Sequence, residues 1–474
     1  MKLNLKLVAV ATALTLSHSA STLAADLGEE TRQELRLTLY SNGLALINDQ
    51  RKVDLKSGIN TLNLSDISPK MVEDSARIVA STPLVISEQG YLAHNLSHQE
   101  LMKAYVGRSV KFATVNPETG EDIIRDAELI SVNNGPIVRI GDSIETTLPG
   151  RILFPAIPAY LRANPLFQVT GTSSAAGPAV VGLTYLSNGF LWSANHTLSL
   201  NSDGSSLKLE TWATLANTSG LTINNAAVQV IAGTVKRRSP QTSRLKRGNM
   251  QMMAAAPMMD AEMAAPVRQS VGGFHLYTLP GTYTLEDGNN KQISLLRTLS
   301  LPVKRTLVSE THANIFSPAR GPVQPTHPLI RLSLSNDKTA GPGQPIPGGI
   351  ARVYGKDAEG RTQFLGEDQL QDLPIGAKTS ISIGKSFDVT VRRQQTDYVR
   401  EGLGRNTSEA AFRITITNGN DKTEEVEIVE NMNGDWTVRE ESAPHQRANN
   451  RAKWTVSVPA KGNAEITYRV RTRR

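Results

Sequence analysis

The sequence predicts an all-β protein: tandem β-sandwich domains of immunoglobulin-like type, with an N-terminal β-unit and one short helix. Three observations lead there. Short apolar runs bounded by turn residues recur from one end of the chain to the other, and few segments carry a helical period. The 36 glycines and 24 prolines among 474 residues supply the turns that such an architecture needs. Hydrophobic residues at 39% and charged residues at 20% lie in the globular range, and the chain is longer than one core usually covers.

Residues 1–24 read as a secretory signal peptide. Lys2 and Lys6 form a positive start, Leu7 to Leu16 is apolar, and Thr22-Leu23-Ala24 supplies the small residues read at a cleavage site. The expected location is periplasmic or secreted. The chain contains no cysteine, which excludes disulfides, thiol nucleophiles, thiolate metal sites and a lipoprotein anchor.

An N-terminal β-domain is expected over 25–165. Leu35, Leu37 and Leu39 alternate with polar residues as one face of a strand requires, and Asn42-Gly43 turns the chain into Leu44 to Asn48. Ser97 and Glu100 form a capping box that starts the one clear helix, and Gly107 is placed to stop it. Strands with glycine-containing turns then suggest a small β-roll from Ser109 to Phe154.

A central β-sandwich is expected over 166–316. Ala163 to Ser202 lacks Asp, Glu, Lys and Arg but is punctuated by Gly, Pro, Asn and Ser, as buried strands are. Val180 to Leu186 and Phe190 to Leu200 flank Ser187-Asn188-Gly189, a hairpin signal, and Thr282 to Leu285 is expected to pair with Gln292 to Leu296 across Asp287-Gly288. Residues 236–270 interrupt this domain as a basic, Met-rich, disordered loop. After the Pro-rich stretch Ser317 to Pro328, nine short strands over 329–474 suit a C-terminal immunoglobulin-like sandwich.

The formal charge of +7 is not a property of the folded body. Two of these charges belong to the signal peptide, and residues 236–268 hold seven cations against Asp260 and Glu262. The remainder is neutral, and the basic segment has no aromatic residue on which a base could stack, so nucleic acid is excluded as a partner. No transmembrane segment is expected in the mature chain, since no later stretch has roughly 18 consecutive apolar residues.

Several segments carry a family resemblance. Tyr40-Ser41-Asn42-Gly43-Leu44-Ala45 with Asp49 and Arg51, Gln89-Gly90-Tyr91, and Tyr105-Val106-Gly107 form its N-terminal part. Gly189-Phe190-Leu191-Trp192, Trp212 to Gly220, Val230-Ile231-Ala232-Gly233, Pro347-Gly348-Gly349 before Arg352-Val353-Tyr354, Gly384 to Val389 and Asn431 to Trp436 continue it. Together they resemble the domain of unknown function 4139 family, the domain shared with mucoidy-inhibitor-like exported bacterial proteins. The resemblance implies β-rich domains and an envelope setting, and supplies neither a reaction nor catalytic residues.

The search for chemistry leaves the catalytic residues unknown. Gly141-Asp142-Ser143 matches the nucleophile block of Gly-Asp-Ser hydrolases, but no histidine has Asp three residues before it and no Gly-x-Ser-x-Gly elbow occurs, so a strand-end turn is the better reading. No His-Glu-x-x-His is present, and in the cluster His94, His98 and Glu100 the last is already explained by the capping box. Met252, Met253, Met258 and Met259, among six methionines of the 236–270 loop, are soft donors suited to Cu(I), though without histidine or regular spacing. A flexible linker explains them better. Trp192, His196 and Trp212 fall on or beside central strands and are candidate pocket residues, with core packing as the simpler reading. Asp49 and Arg51, two apart on one strand face, read as a surface ion pair.

No cofactor is called for, and the failed searches lean against an enzyme. The sequence points to an exported, non-enzymatic interaction or scaffolding protein of the cell envelope, whose partner is an envelope protein or glycan. The alternative is an envelope hydrolase or glycan-acting enzyme with dispersed acidic residues, because glycoside hydrolysis needs only two suitably spaced carboxylates and no local motif.

Overall fold

The computed structural model describes residues 24–93, 95–133, 135–146, 150–158, 160–236, 267–312, 315–319, 323–338, 341–401 and 407–473. Strands dominate and are gathered into several sheets, with one short α-helix. The all-β prediction holds. The chain divides into two compact units that interleave along the sequence: Met1–Arg36, Leu46–Asn188 and Ser219–Thr222 form the first, and Leu37–Ala45, Gly189–Thr218 and Ile223–Arg474 the second. Residues 1–23, all but the last residue of the expected signal peptide 1–24, lie outside the described residues.

In the first unit, the short strand Ala25–Leu27 runs parallel to Gly58–Leu64, which pairs with Leu166–Ser173, itself paired with Leu84–Leu92. Alternation sends Leu62, Leu64, Phe167 and Val169 into the core. A smaller module follows. Five antiparallel strands between Ser109 and Leu153 close on the helix His98–Ala104 around Met102, Tyr105, Phe112, Leu129 and Val138. The helix starts as expected, with the Glu100 amide donating to Ser97 Oγ at 3.1 Å, while the Glu100 carboxylate engages Lys103 at 2.9 Å.

The Asp49–Arg51 expectation needs correction. Both side chains are buried, because positions 47, 49, 51, 53 and 55 of the strand Leu44–Leu55 share its inward face. Asp49 accepts from Arg32 Nε and Nη2 at 3.1 Å each and from Arg51 Nη2 at 2.6 Å, and Arg51 Nη1 donates to the carbonyl of Leu27. One carboxylate thus holds two guanidinium groups inside the unit. Nearby, Tyr185 is wholly buried, its hydroxyl accepts the Ser68 amide at 3.2 Å, and burial drives its ionisation far above the ordinary tyrosine range.

In the second unit a series of paired strands runs Thr362–Leu370, Gly349–Lys356, Phe190–Leu200, Ser206–Asn217 and Asn290–His312. The last is 23 residues long and leads onward to Leu329–Ser335, which pairs with Lys378–Lys385. The ring returns to Thr362–Leu370 through a side chain, since Asp368 accepts the Ser382 amide at 2.8 Å. Towards the C-terminus a sandwich packs Glu424–Asn431 and Arg451–Val458 against the sheet of Val389–Glu401, Thr407–Asn418, Asn463–Arg473 and Asp435–Glu441. Phe412, Tyr468 and Trp454 stack in its core, with ring centroids 5.1 and 4.8 Å apart.

Three local expectations change. The strands Gly177–Asn188 and Phe190–Leu200 form no hairpin: they belong to different sheets, and Asn188-Gly189 is where the chain leaves one unit for the other. Phe190–Leu200 instead pairs along its whole length with Ser206–Asn217, across a turn in which Asp203 accepts the Ser205 amide at 2.7 Å. Tyr283–Leu285 pairs with Ile223–Ala232, not with the strand that follows it. Finally, Val267–Val271 is a strand although it begins within the expected 236–270 loop, paired with Phe274–Thr278 across Gly272-Gly273, both with positive φ as a two-residue hairpin turn requires. Residues 237–266, with Met252, Met253, Met258 and Met259, lie outside the described residues.

Candidate functional site

The strand Phe190–Leu200 organises a cleft in the second unit. Phe190, Trp192, Ala194, His196 and Leu198 face the core, while Leu191 and Ser193 are exposed. One flank is paired throughout. On the other, the parallel neighbour Gly349–Lys356 begins only opposite Ala194, so the flank beside Leu191, Trp192 and Ser193 opens into a cleft of about 430 Å³. Its walls are Ala232–Thr234 with Ser41, Pro347–Ile350, and Gln369–Asp372.

The walls are fixed by hydrogen bonds, all but one of them between neutral groups. Trp192 Nε1 donates to the Ile231 carbonyl at 2.9 Å, which secures the strand leading to Ala232. The Tyr277 hydroxyl donates to Pro345 O at 2.8 Å, Ile346 and Leu373 exchange backbone bonds at 3.0 and 2.9 Å, and Asp372 Oδ1 accepts the Gly348 amide at 2.7 Å. His196 completes the set. The Pro347 carbonyl, 3.0 Å from Nε2, can only accept, so Nε2 carries the proton and Nδ1 accepts from Thr211 Oγ1 at 2.9 Å. Burial pushes the imidazole down to about 4, against a smaller upward pull from the Pro347 bond, so His196 is neutral at pH 7.

Glycine is required at the rim. A Cβ at Gly349 would stand 2.0 Å from the Ala194 carbonyl, so the parallel strand approaches Phe190–Leu200 only because position 349 has no side chain.

The predicted pocket residues therefore separate. Trp192 and His196 share the inward face, where Trp192 contributes to the cleft and His196 supports its rim. Trp212 pairs opposite Asn195, on the other face, and does not join them. Gly141-Asp142 is the turn between Ile137–Ile140 and Ser143–Glu145, with Ser143 opposite Ile140. His94 lies outside the described residues, and among those described no group of three or more His, Cys, Asp or Glu could hold a metal ion. Sequence reasoning missed Asp372 and the Pro347-Gly348-Gly349 loop as site residues, although a Gly-Gly pair before a strand is a signal of close backbone approach.

The other clusters are structural in character. In the first unit a cleft of about 560 Å³ between Ala25–Leu27, Lys52–Asp54 and Pro178–Val180 contains one carboxylate, Asp54. In the C-terminal sandwich Glu430 is fully buried and accepts from Arg393 Nε at 2.6 Å, with the Arg393 guanidinium 3.9 Å from the Phe412 ring centre. Burial raises the Glu430 carboxyl, and Arg393 offsets part of that rise. Among the described residues no helix is long and apolar enough to cross a membrane.

Among comparisons with known proteins, one family model matches residues 181–473, and its description is domain of unknown function (DUF4139). A search of curated proteins found no match.

Proposed function

We propose, for a chain that belongs to the DUF4139 family, a role in the cell envelope exerted by binding: an exported interaction or scaffolding protein whose partner is seated at the cleft of the second unit. One observation carries this reading. Ser41, Leu191-Trp192, Ala232-Gly233 and Pro347-Gly348-Gly349 come from four separate resemblance-bearing segments, and all line the same cleft. Segments so far apart in the chain have no reason of local structure to share a wall, whereas a binding surface needs them together.

The composition of the wall favours holding over transforming. Among the described residues Asp372 is the one ionisable side chain that lines it, so these residues do not supply the carboxylate pair on which glycoside hydrolysis depends. What it offers is backbone, amide and hydroxyl groups on a rigid frame. Export rests on the leader-like residues 1–24, and processing there should yield a chain beginning at Ala25, which N-terminal sequencing of the protein from the envelope fraction would read directly.

The binding role is tested by affinity enrichment from envelope extract with two baits, the native chain and Leu191→Glu. Leu191 is 44% exposed in the cleft wall, so the substitution alters the surface and leaves the core alone. The native chain should recover a specific partner that the variant retains about tenfold less well. Recovery of no specific partner under several conditions, or of the same partners by both baits, overturns the reading.

A further inference from the structure

The cleft is a missing strand position. Along Phe190–Leu200 the flank occupied by Gly349–Lys356 from Ala194 onward is vacant beside Leu191–Ser193, because the chain before Gly349 turns aside to pair Ile346 with Leu373. The Gly189 carbonyl accepts the Thr218 amide at 2.7 Å on the paired flank. Backbone groups of successive residues in a strand point to alternate sides, so Leu191 and Ser193 are turned toward that same neighbour and Trp192 is turned the other way. The N–H and C=O of Trp192 thus face the cleft, and no strand among the described residues lies there to take them up.

We propose that this position is filled by a short extended segment of a partner polypeptide bearing a lysine or arginine side chain. The inference rests on the cleft being the binding surface. Two residues of the segment, those flanking the one opposite Trp192, take up its backbone, one accepting from its N–H and the other donating to its C=O, which continues the parallel ladder that Gly349–Lys356 leaves off. These two lie against the exposed Leu191 and Ser193. The charge follows from Asp372, among the described residues the one ionisable group lining the cleft, which is exposed and accepts the Gly348 amide through Oδ1. A cation carried along the segment meets the remaining carboxylate oxygen, whereas an anion there would face a like charge.

The frame is suited to receive such a segment without rearrangement. Pro345, Pro347 and Gly348 are each held by a separate hydrogen bond, from Tyr277, from His196 and to Asp372, so the rim is ordered before anything binds.

The test uses the full chain with N-acetylated, C-amidated heptapeptides in which each position is varied in turn, read by fluorescence polarisation. Lysine or arginine at one position should bind about tenfold more tightly than glutamate there. Asp372→Asn, which keeps the acceptor for the Gly348 amide, should reduce that preference to about threefold or less with the thermal midpoint unchanged. N-methylation of the peptide backbone at a single residue should cost at least about tenfold, because it removes a ladder hydrogen bond and leaves the side chains in place. A charge preference that survives Asp372→Asn, equal binding of the N-methylated peptide, or binding that appears only after residues 237–266 are deleted would each overturn the proposal. If no heptapeptide binds while Leu191→Glu still loses the envelope partner, strand completion fails and the binding role of the cleft stands.

Discussion

The Asp49 cluster of the first unit and the cleft of the second bury polar groups by opposite means. Beside the strand Leu44–Leu55, Asp49 sits between the part-buried Arg32 and the buried Arg51, so the Asp49 and Arg51 charges are enclosed and depend on each other. Around the cleft of the second, Trp192, His196, Thr211 and Tyr277 satisfy carbonyls and one another without any charge. Enclosed charges are costly to leave unpaired, whereas neutral groups lose only a hydrogen bond and its desolvation. The first arrangement makes its region sensitive to single changes. The second holds the cleft walls in place and leaves their charge, among the described residues, to Asp372.

Asp49→Asn should break this contrast most visibly, since it leaves the buried Arg51 guanidinium without its anion and the part-buried Arg32 with Glu29 alone. A loss of about 3–5 kcal/mol is expected in denaturant unfolding. Replacing Asp49 by Leu and Arg51 by Met together should recover much of it, and a double variant as unstable as the single one would show that the charge pair is not the cause.

Acid should separate the units next. In the unfolded chain His196 takes up a proton near its ordinary value of about 6.5, but in the folded chain only near 4. Between those values the unfolded state binds more protons, so stability falls as pH drops from about 6.5 toward 4, by roughly 3 kcal/mol in total. His196→Gln should be less stable at pH 7.5 yet show a shallower slope across that window. An unchanged slope would mean that another group carries the acid sensitivity.

The smallest effect belongs to Trp192→Phe, which removes the bond to Ile231 and keeps most of the ring. About 1–2 kcal/mol should be lost, measurable as a shift in the unfolding midpoint. A change near zero would place the anchoring of the Ala232–Thr234 wall elsewhere, in the contacts of Ser41 and Asn42 with Gly233 and Val235.

What the sequence disclosed and what it withheld follow from the range of each interaction. Strand positions and the Ser97 helix start depend on neighbours a few residues apart, and they are where alternation and capping place them. Asp49 and Arg51 were also decidable locally: Ile47, Val53 and Leu55 have the same parity, and that parity outranks the charge of the side chains. Asn188-Gly189 misled because a turn signal says that the chain reverses or bends, not that the flanking strands pair. The cleft was beyond local reading altogether. Leu191, Gly349 and Asp372 meet through parallel pairing and a crossover, and nothing in a window of ten residues announces a neighbour that ends early.

The 23-residue strand Asn290–His312 has a consequence for how the molecule unfolds and divides. Its first half is a rung beside Ser206–Asn217, and its second half is a rung beside both Leu329–Ser335 and Glu424–Asn431. Leu307 also contributes to the core of the C-terminal sandwich. A fragment begun after the Pro-rich stretch at 317–328 would therefore carry a sandwich with a slot where its own parallel strand belongs. Melting of that sandwich is tied, through one continuous backbone, to the strands that border the cleft, and the two should be lost in a single cooperative step.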